Sequence, residues 1–440
     1  MASVRGSQGS DSLEEGRACH RRNSLDAAWA DHQPNIKRHA RSTFFAGRLA
    51  RSVAAGWLAV RDEGQEFLGV PRTVPRVARL SDEPRLRGCD RQDGLAIRRP
   101  NSGPQAWPRH VAQAGWDERN GWEKDLVPFE QMPFVEYPEE GVFATANNRP
   151  VQKTGGPFLG ADWLDPYRHQ VIVEELAKRE KWDLAGAASI QMCVRSIPWR
   201  EMREVVLKSV SSSVRKRFER WNGDIAADSF PSALFEVFIA RMAIRVSQAK
   251  APKSWDWAVG KGASLLNPFS FFGYRRIAHL IELMVCEPEG WFDQGWPKTI
   301  AIAMDEAEKE LNAFGKQPGW GTVRPLTLQH IMLGRTPLRR AFDLGPVPVS
   351  GDEHTPNHAS AMPLDPLGPV KSMPNLRATI DVGNWSASRF SIAGGQSGNP
   401  FSPHYADLFE SWQRGEGVPV AFTAEEVASA SVDVLKLIPA

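Results

Sequence analysis

Two adjacent amides and a later arginine are the polar residues of this sequence with the clearest chemical potential. Asn147 and Asn148 directly follow the stretch GVFATA, residues 141–146, whose apolar residues alternate as they do in a short strand. An amide N–H at the tip of a strand can donate to an oxygen that becomes negative when a carbonyl is attacked. Taken alone, Asn147 is more simply interpreted as a turn residue at a strand end.

The arginine is Arg168, and the sequence predicts that it lies on a helix. Asp165 is a candidate cap, and Pro166 fits the first turn because its missing N–H would be unpaired there. Arg168, Ile172 and Leu176 are four residues apart and share one helical face. We therefore expect the guanidinium to lie beside apolar side chains and to have a partner, either in a site or in an internal salt bridge.

Other polar groupings favour structural interpretations. Ser397, His404 and Asp407 are close in sequence, but the members of a catalytic triad normally come from separate elements, so we interpret them as turn residues. His354, His358 and His404 lack metal-ligand spacing, and the four cysteines form no CxxC pair. The residues themselves therefore indicate neither a nucleophile nor a metal site.

The elements that would position Asn147 and Arg168 form a mixed α and β arrangement. The section of about 184–315 is predicted to be mostly helical, and strands are predicted to return over about 376–440, beginning with LRATIDV. We expect one α+β domain over residues 116–440. The predicted helices in the middle section are 184–194, 199–209, 229–247, 274–286 and 299–314.

Residues 1–115 differ in composition from the rest. They hold 18 Arg and 1 Lys against 12 acidic residues, whereas the whole chain of 440 residues has a net charge of only +2. Periodicity is poor, so this segment is expected to be unstructured. Three interpretations stay open: a basic arm for nucleic acid or another anionic surface, a natural flexible extension, and translation in the wrong reading frame, which we favour.

A set of longer motifs resembles the penicillin acylase (penicillin amidase) family of N-terminal-nucleophile hydrolases, specifically the later part of its β chain. The resemblance covers about 325 of the 440 residues. The stretches that carry it are GWDERNGWEKDLVPFEQMP, FATANNRP, GADWLDPYRHQVIVEEL, RWNGDIAADS, SGDEHTPN and GGQSGNPFSPHYADLFESW.

The resemblance implies a four-layer αββα sandwich, here partial and with a helical insertion, and a serine that becomes the N-terminus of the β chain. It implies that Asn147 binds the oxyanion and that Arg168 helps to orient Asn147 and the acyl group. It also implies an α chain derived from the same precursor and a periplasmic or extracellular location, although the sequence shows no signal peptide.

The departures from the family pattern concern the nucleophile, one carboxylate and the calcium ion. No Gly-Ser-Asn-x-Trp segment precedes Asn147, and Gly6-Ser7 lacks the residues that should follow it. Cys193 stands in IQMC where the family tends to have Asp. Most family calcium ligands would lie in a missing upstream part, so Asp162 is at best a remaining ligand, and we expect no cofactor.

The function predicted from these residues is that of an amide hydrolase lineage. Its substrate would be a small N-acyl compound, such as a β-lactam with an acyl side chain or an acyl-homoserine lactone, which would connect it to antibiotic chemistry. The main alternative is a catalytically inactive truncated or frameshifted fragment; a nucleic-acid binder explains only the Arg excess. No run of about 20 apolar residues indicates a membrane span.

Overall fold

The computed structural model describes residues 132, 133, 135, 138, 141–150, 163–261, 276–361 and 365–437, together with the backbone of 58–60. The elements of the described part, numbered in chain order, mix helices and strands as predicted. The helices are α1 (Tyr167–Leu176), α2 (Leu184–Gln191), α3 (Ile197–Ser209), α4 (Ser212–Phe218), α5 (Phe230–Lys250), α6 (Trp255–Ala258), α7 (Ile277–Cys286), α8 (Trp296–Leu311), α9 (Trp320–Val323), α10 (Arg339–Phe342), α11 (Phe409–Arg414) and α12 (Ala424–Ala430).

Short polar side chains start several of the middle helices. Ser196 accepts a hydrogen bond from Trp199 N at the start of α3, and Ser229 accepts one from Ser232 N at the start of α5. Asp183 accepts one from Gly186 N at the start of α2. Each cap pairs a backbone N–H that has no partner inside its helix. The predicted boundaries of the middle helices differ from the observed ones by a few residues.

The largest hydrophobic core lies between α3, α5, α7 and α8. The longest helix, α5, packs along α8, while α3 packs against both α7 and α8. Aromatic rings fill the end near α4, where Trp199 lies 4.8 Å from both Phe218 and Trp221, measured between ring centroids. This core also includes Tyr167 and Val171, so it holds the helix that carries Arg168. None of the described helices is long and apolar enough to cross a membrane.

The strands form two small sheets. The first has the order β1 (Leu58–Val60), β4 (Leu376–Asp381), β5 (Arg389–Ile392) and β6 (Val418–Pro419); β1 is parallel to β4, and the other neighbours are antiparallel. The second pairs β2 (Leu326–Leu328) with β3 (Leu344–Val347). Both faces of β4 are covered, because Arg377 and Thr379 are buried as well as Ala378.

Three details differ from the prediction. GVFATA forms no strand; its apolar Val142 and Ala144 pack on the α1–α2 cluster instead. Strands return at Leu326 rather than near residue 376. At the C-terminal end the sequence predicts a helix followed by a short strand, whereas in the structure β6 precedes α12 and no strand follows that helix within the described residues.

Candidate functional site

The segment 141–150 ends in a tight turn that gives its two asparagines different environments. Asn147 has φ 61°, in the left-handed region that asparagine tolerates better than most residues. Asn148 is buried, and its Oδ1 accepts a hydrogen bond from Ala146 N at 3.0 Å. Asn147 is exposed. Asn148 therefore shapes the turn, and the turn presents the side chain of Asn147 outward.

Arg168 fixes the orientation of the Asn147 amide. It is only 5% exposed, and its Nη2 donates to Asn147 Oδ1 and to Ala146 O, both at 2.9 Å. Because Oδ1 accepts from the guanidinium, the amide nitrogen Nδ2 points away from Arg168. Its N–H groups can therefore donate to another acceptor. Nδ2 makes no hydrogen bond to another described residue. The structure thus brings together the two residues that the sequence singled out.

A neighbouring histidine also holds the segment and was not predicted. His169 is half-buried, and its ring hydrogen-bonds to the backbone of Ala144. Burial lowers the pKa of His169, and the Ala144 contact opposes that shift. Adjacent residues of α1 therefore hold two points of the segment 141–150 by hydrogen bonds. In the sequence, only the position of His169 beside Arg168, at the start of a predicted helix, could have indicated this contact.

The start of α1 is held by buried polar residues. The Tyr167 hydroxyl donates to Glu201 Oε2 at 2.8 Å, and the Tyr167 ring lies edge-on against His354. The prediction that Asp165 caps α1 is wrong: its Oδ2 accepts from Ala278 N, in the first turn of α7. Burial raises the pKa of Asp165, and the Ala278 contact and the charge of His354 oppose that rise. Arg168 is therefore anchored to the helical core.

This geometry is suited to stabilising a developing negative oxygen. An amide N–H that is held by a buried cation needs little reorganisation when an oxyanion forms beside it. Donors of this kind typically contribute about 3 kcal/mol of transition-state stabilisation. The pair supplies neither a nucleophile nor a base, so the pair alone carries out no reaction.

The proposed turn interpretation of Ser397, His404 and Asp407 agrees with their contacts. His404 Nδ1 lies 2.8 Å from Asp407 Oδ2, but the His404 side chain is 70% exposed. Ser397 Oγ accepts from Asn399 N instead of bonding to the His404 ring. These three residues therefore make no catalytic triad.

His354 of the SGDEHTPN segment and His358, which directly follows that segment, have structural contacts. His354 packs on Tyr167, and His358 Nε2 lies 3.1 Å from Glu353 Oε1. The described residues include no group of three or more His, Cys, Asp or Glu arranged to hold a metal ion. Asp162 and Gly6-Ser7 lie outside the described residues, as do residues 1–115 apart from the backbone of β1.

A buried acidic cluster, which the sequence did not predict, is formed where α5 meets the SGDEHTPN segment. Glu236 of α5 is half-buried as a residue, but its carboxyl Oε1 is shut off from solvent, where it faces Asp352, Glu353 and Arg324. Burial raises the pKa of Glu236 strongly, and the nearby Asp352 raises it further. Gly351 permits the turn: it has φ 94°, and a Cβ there would lie 1.8 Å from Asn357 O.

Comparison with known proteins gives three kinds of similarity. The model of a family described as Penicillin amidase matches residues 53–429. The match thus begins well before Gly115, where the first of the resembling motifs begins. The solved structure of a thermostable penicillin G acylase from Alcaligenes faecalis aligns at 15% identity with a TM-score of 0.48, covering 77% of this chain and 64% of that chain.

Two curated relatives align over most of this chain. Penicillin acylase 2 proenzyme of Pseudomonas sp. (strain SE83) is 26% identical over 74% of this chain and 42% of the relative. Acyl-homoserine lactone acylase QuiP of Pseudomonas syringae pv. syringae (strain B728a) is 24% identical over 70% of this chain and 40% of the relative. The chain thus spans about two fifths of the length of these relatives.

Proposed function

Because the chain belongs to the penicillin amidase family, we propose that it carries the oxyanion-binding part of an enzyme that hydrolyses N-acyl amides. Asn147 would donate Nδ2–H to the oxygen of the tetrahedral intermediate. Arg168 would hold Asn147 in the orientation that leaves this donor available. The observation that carries the proposal is the bond from Arg168 Nη2 to Asn147 Oδ1 at 2.9 Å.

The nucleophile in this proposal is a serine whose own α-amine acts as the base. Neither Gly6-Ser7 nor any other segment of the sequence has the Gly-Ser-Asn-x-Trp pattern expected for it. We therefore propose that the 440-residue chain lacks the nucleophile and is inactive alone. The αββα sandwich would be completed by the nucleophile-bearing strands and an α chain from the same precursor.

The proposed substrates are small N-acyl compounds. The two curated relatives are named for penicillin and for acyl-homoserine lactones, and both classes contain an amide that links an acyl group to a ring. An oxyanion donor recognises the amide carbonyl common to both classes and does not discriminate between their acyl groups. Calcium has no part in the proposed chemistry.

The first experiment compares the chain with a restored reading frame. We expect the DNA upstream, or in another frame over residues 1–115, to encode Gly-Ser-Asn-x-Trp. The 440-residue chain should hydrolyse a penicillin and an acyl-homoserine lactone no faster than buffer, and the restored enzyme should cleave at least one. A folded restored enzyme that cleaves neither would contradict the proposed function.

The second experiment tests the absence of a nucleophile in the chain itself. A serine-directed sulfonylating reagent should label no serine stoichiometrically, and mass spectrometry of peptides should find Ser7 unmodified. Stoichiometric labelling of Ser7 together with a burst of product would show that the chain holds its own nucleophile.

A further inference from the structure

A buried arginine away from the Asn147–Arg168 pair has only neutral partners. Arg377 of β4 is 4% exposed. Its guanidinium donates to Trp412 O at 3.1 Å, to Asn357 Oδ1 at 2.8 Å and, more weakly, to Gln191 O at 3.5 Å. It also lies over the Trp412 ring, 5.3 Å from the ring centroid. These contacts use three of the five N–H donors of a guanidinium.

No negative charge in the described part of the chain balances Arg377. Glu410, the acidic residue in the wall of the cavity that Arg377 lines, is instead paired with Arg414, which also pairs with Glu416. Loss of water around the cation lowers the pKa of Arg377 to about 10, and no carboxylate raises it. Buried arginines usually have an anionic partner, because the charge is expensive to remove from water. Arg377 therefore has unused capacity for an anion.

Arg377 lines a cavity of about 390 Å³ between β4, α11 and the end of α2. This volume suits a small organic ligand. Ser350, Asn357 and Gln413 contribute neutral polar groups to the wall, and the paired Glu410 and Arg414 contribute one charge of each sign. The apolar part of the lining is formed by Met192, Val194, Val349, Met373 and Trp412. Neither Asn147 nor Arg168 belongs to the lining.

We propose that this cavity binds a small monocarboxylate with an apolar group, such as an aromatic or short aliphatic acid. The carboxylate would accept hydrogen bonds from the unused N–H donors of Arg377, and the apolar group would contact Met373 and Val194. A phosphate suits the cavity less well, because its two charges and its hydration oppose transfer into an apolar wall. The site does not depend on the proposed hydrolase activity.

The test measures binding to the full chain by ¹⁹F NMR. We expect 4-fluorobenzoate to show protein-dependent line broadening, while 4-fluorobenzamide, which has a similar shape and no charge, binds at least ten-fold more weakly. Inorganic phosphate at the same concentration should not displace the acid. Equal binding of the amide, displacement by phosphate, or no binding of the acid would overturn the proposal.

Three variants locate the binding. Arg377→Met should weaken 4-fluorobenzoate at least ten-fold, whereas Arg389→Met, an exposed arginine on the adjacent strand, should leave binding unchanged. Val194→Phe fills the cavity and keeps Arg377, so it should weaken binding similarly even if Arg377→Met fails to fold. Wild-type binding in folded Arg377→Met or Val194→Phe would overturn the proposal. Because hydrolysis is not measured, an inactive chain does not affect the result.

Discussion

Arg168 contacts both the side chain and the backbone of the Asn147 turn: one nitrogen, Nη2, lies 2.9 Å from Asn147 Oδ1 and 2.9 Å from Ala146 O. A single buried nitrogen therefore fixes the φ 61° turn and the direction of the amide together. Loss of this nitrogen should disturb the turn and the donor at once. Loss of the Asn147 amide should affect the donor with less effect on the fold.

Asn147→Ala in the restored enzyme should lower kcat by about 10² to 10³ with a much smaller change in substrate binding. The reason is that the proposed bond to the oxyanion is stronger than the bond to the ground-state carbonyl. Steady-state kinetics with a single N-acyl substrate measures the effect, and Asn148→Ala, which should mainly reduce stability, serves as the comparison. An unchanged kcat/KM in Asn147→Ala would leave only the turn role.

Arg168→Ala should reduce both stability and kcat. The side chain is buried and also orients Asn147, so its removal leaves Ala146 O and Asn147 Oδ1 without their donor. We expect a loss of about 2–4 kcal/mol in the free energy of unfolding, measured by urea denaturation of the 440-residue chain. Arg168→Lys keeps the positive charge but lacks the planar guanidinium. Its losses in stability and in kcat should therefore be smaller than those of Arg168→Ala, but not absent. Wild-type stability in Arg168→Ala would contradict the anchoring role.

His169 should make the fold less stable in mild acid. Burial lowers its pKa below the ordinary value of 6.5, so the unfolded chain binds the proton more readily. His169 therefore makes its full contribution to the free energy of unfolding above about pH 6.5, and this contribution is lost as the pH falls below that value. His169→Gln keeps a donor for Ala144 without titrating, and it should flatten this slope in urea denaturation between pH 5 and 8. An identical slope in both proteins would count against the assignment.

Glu236 should have the opposite effect on pH dependence. Its pKa is raised above the ordinary value of 4.5, so the folded chain holds the proton more tightly and stability falls as the pH rises above that value. Glu236→Gln removes the cost of ionising beside Asp352 and should raise the free energy of unfolding at pH 8 by about 1–2 kcal/mol. The exposed Glu180→Gln is the control. A less stable Glu236→Gln at pH 8 would mean that Glu236 is ionised and paired with Arg324.

Cys193→Asp tests the carboxylate that the family tends to have at this position. Arg195 already pairs with Glu174 at 2.7 Å and with Glu175 at 3.0 Å, and Asp224 adds further negative charge near Cys193. A further carboxylate there should be repelled, so we expect a loss of about 1–3 kcal/mol in the free energy of unfolding. Cys193→Ser should cost less. Equal or higher stability of Cys193→Asp would show that Arg195 can accept another partner.

Local signals predicted the middle helices well because apolar spacing acts within a few residues. The face shared by Arg168 and Leu176, both of which are buried, is of this kind. The same reasoning failed for Asp165, since its acceptor role is set by Ala278, which is 113 residues away. GVFATA alternates like a strand, but whether it pairs depends on distant chain segments. The neutral surroundings of Arg377 were equally hidden, because α11 and the Asn357 turn meet β4 only in the folded chain.

The bond between Asp165 and Ala278 has a consequence for biosynthesis. Arg168 lies three residues after Asp165, whereas the first turn of α7 is translated 113 residues after it. At about 5–20 residues per second, a ribosome needs roughly 6–23 s to cover that interval. During this time the nascent helix that carries Arg168 lacks one of its anchors. Polar groups that become buried in the folded chain are then accessible to chaperones and proteases. Slow codons between these two points would lengthen that window, while a faster passage would shorten it.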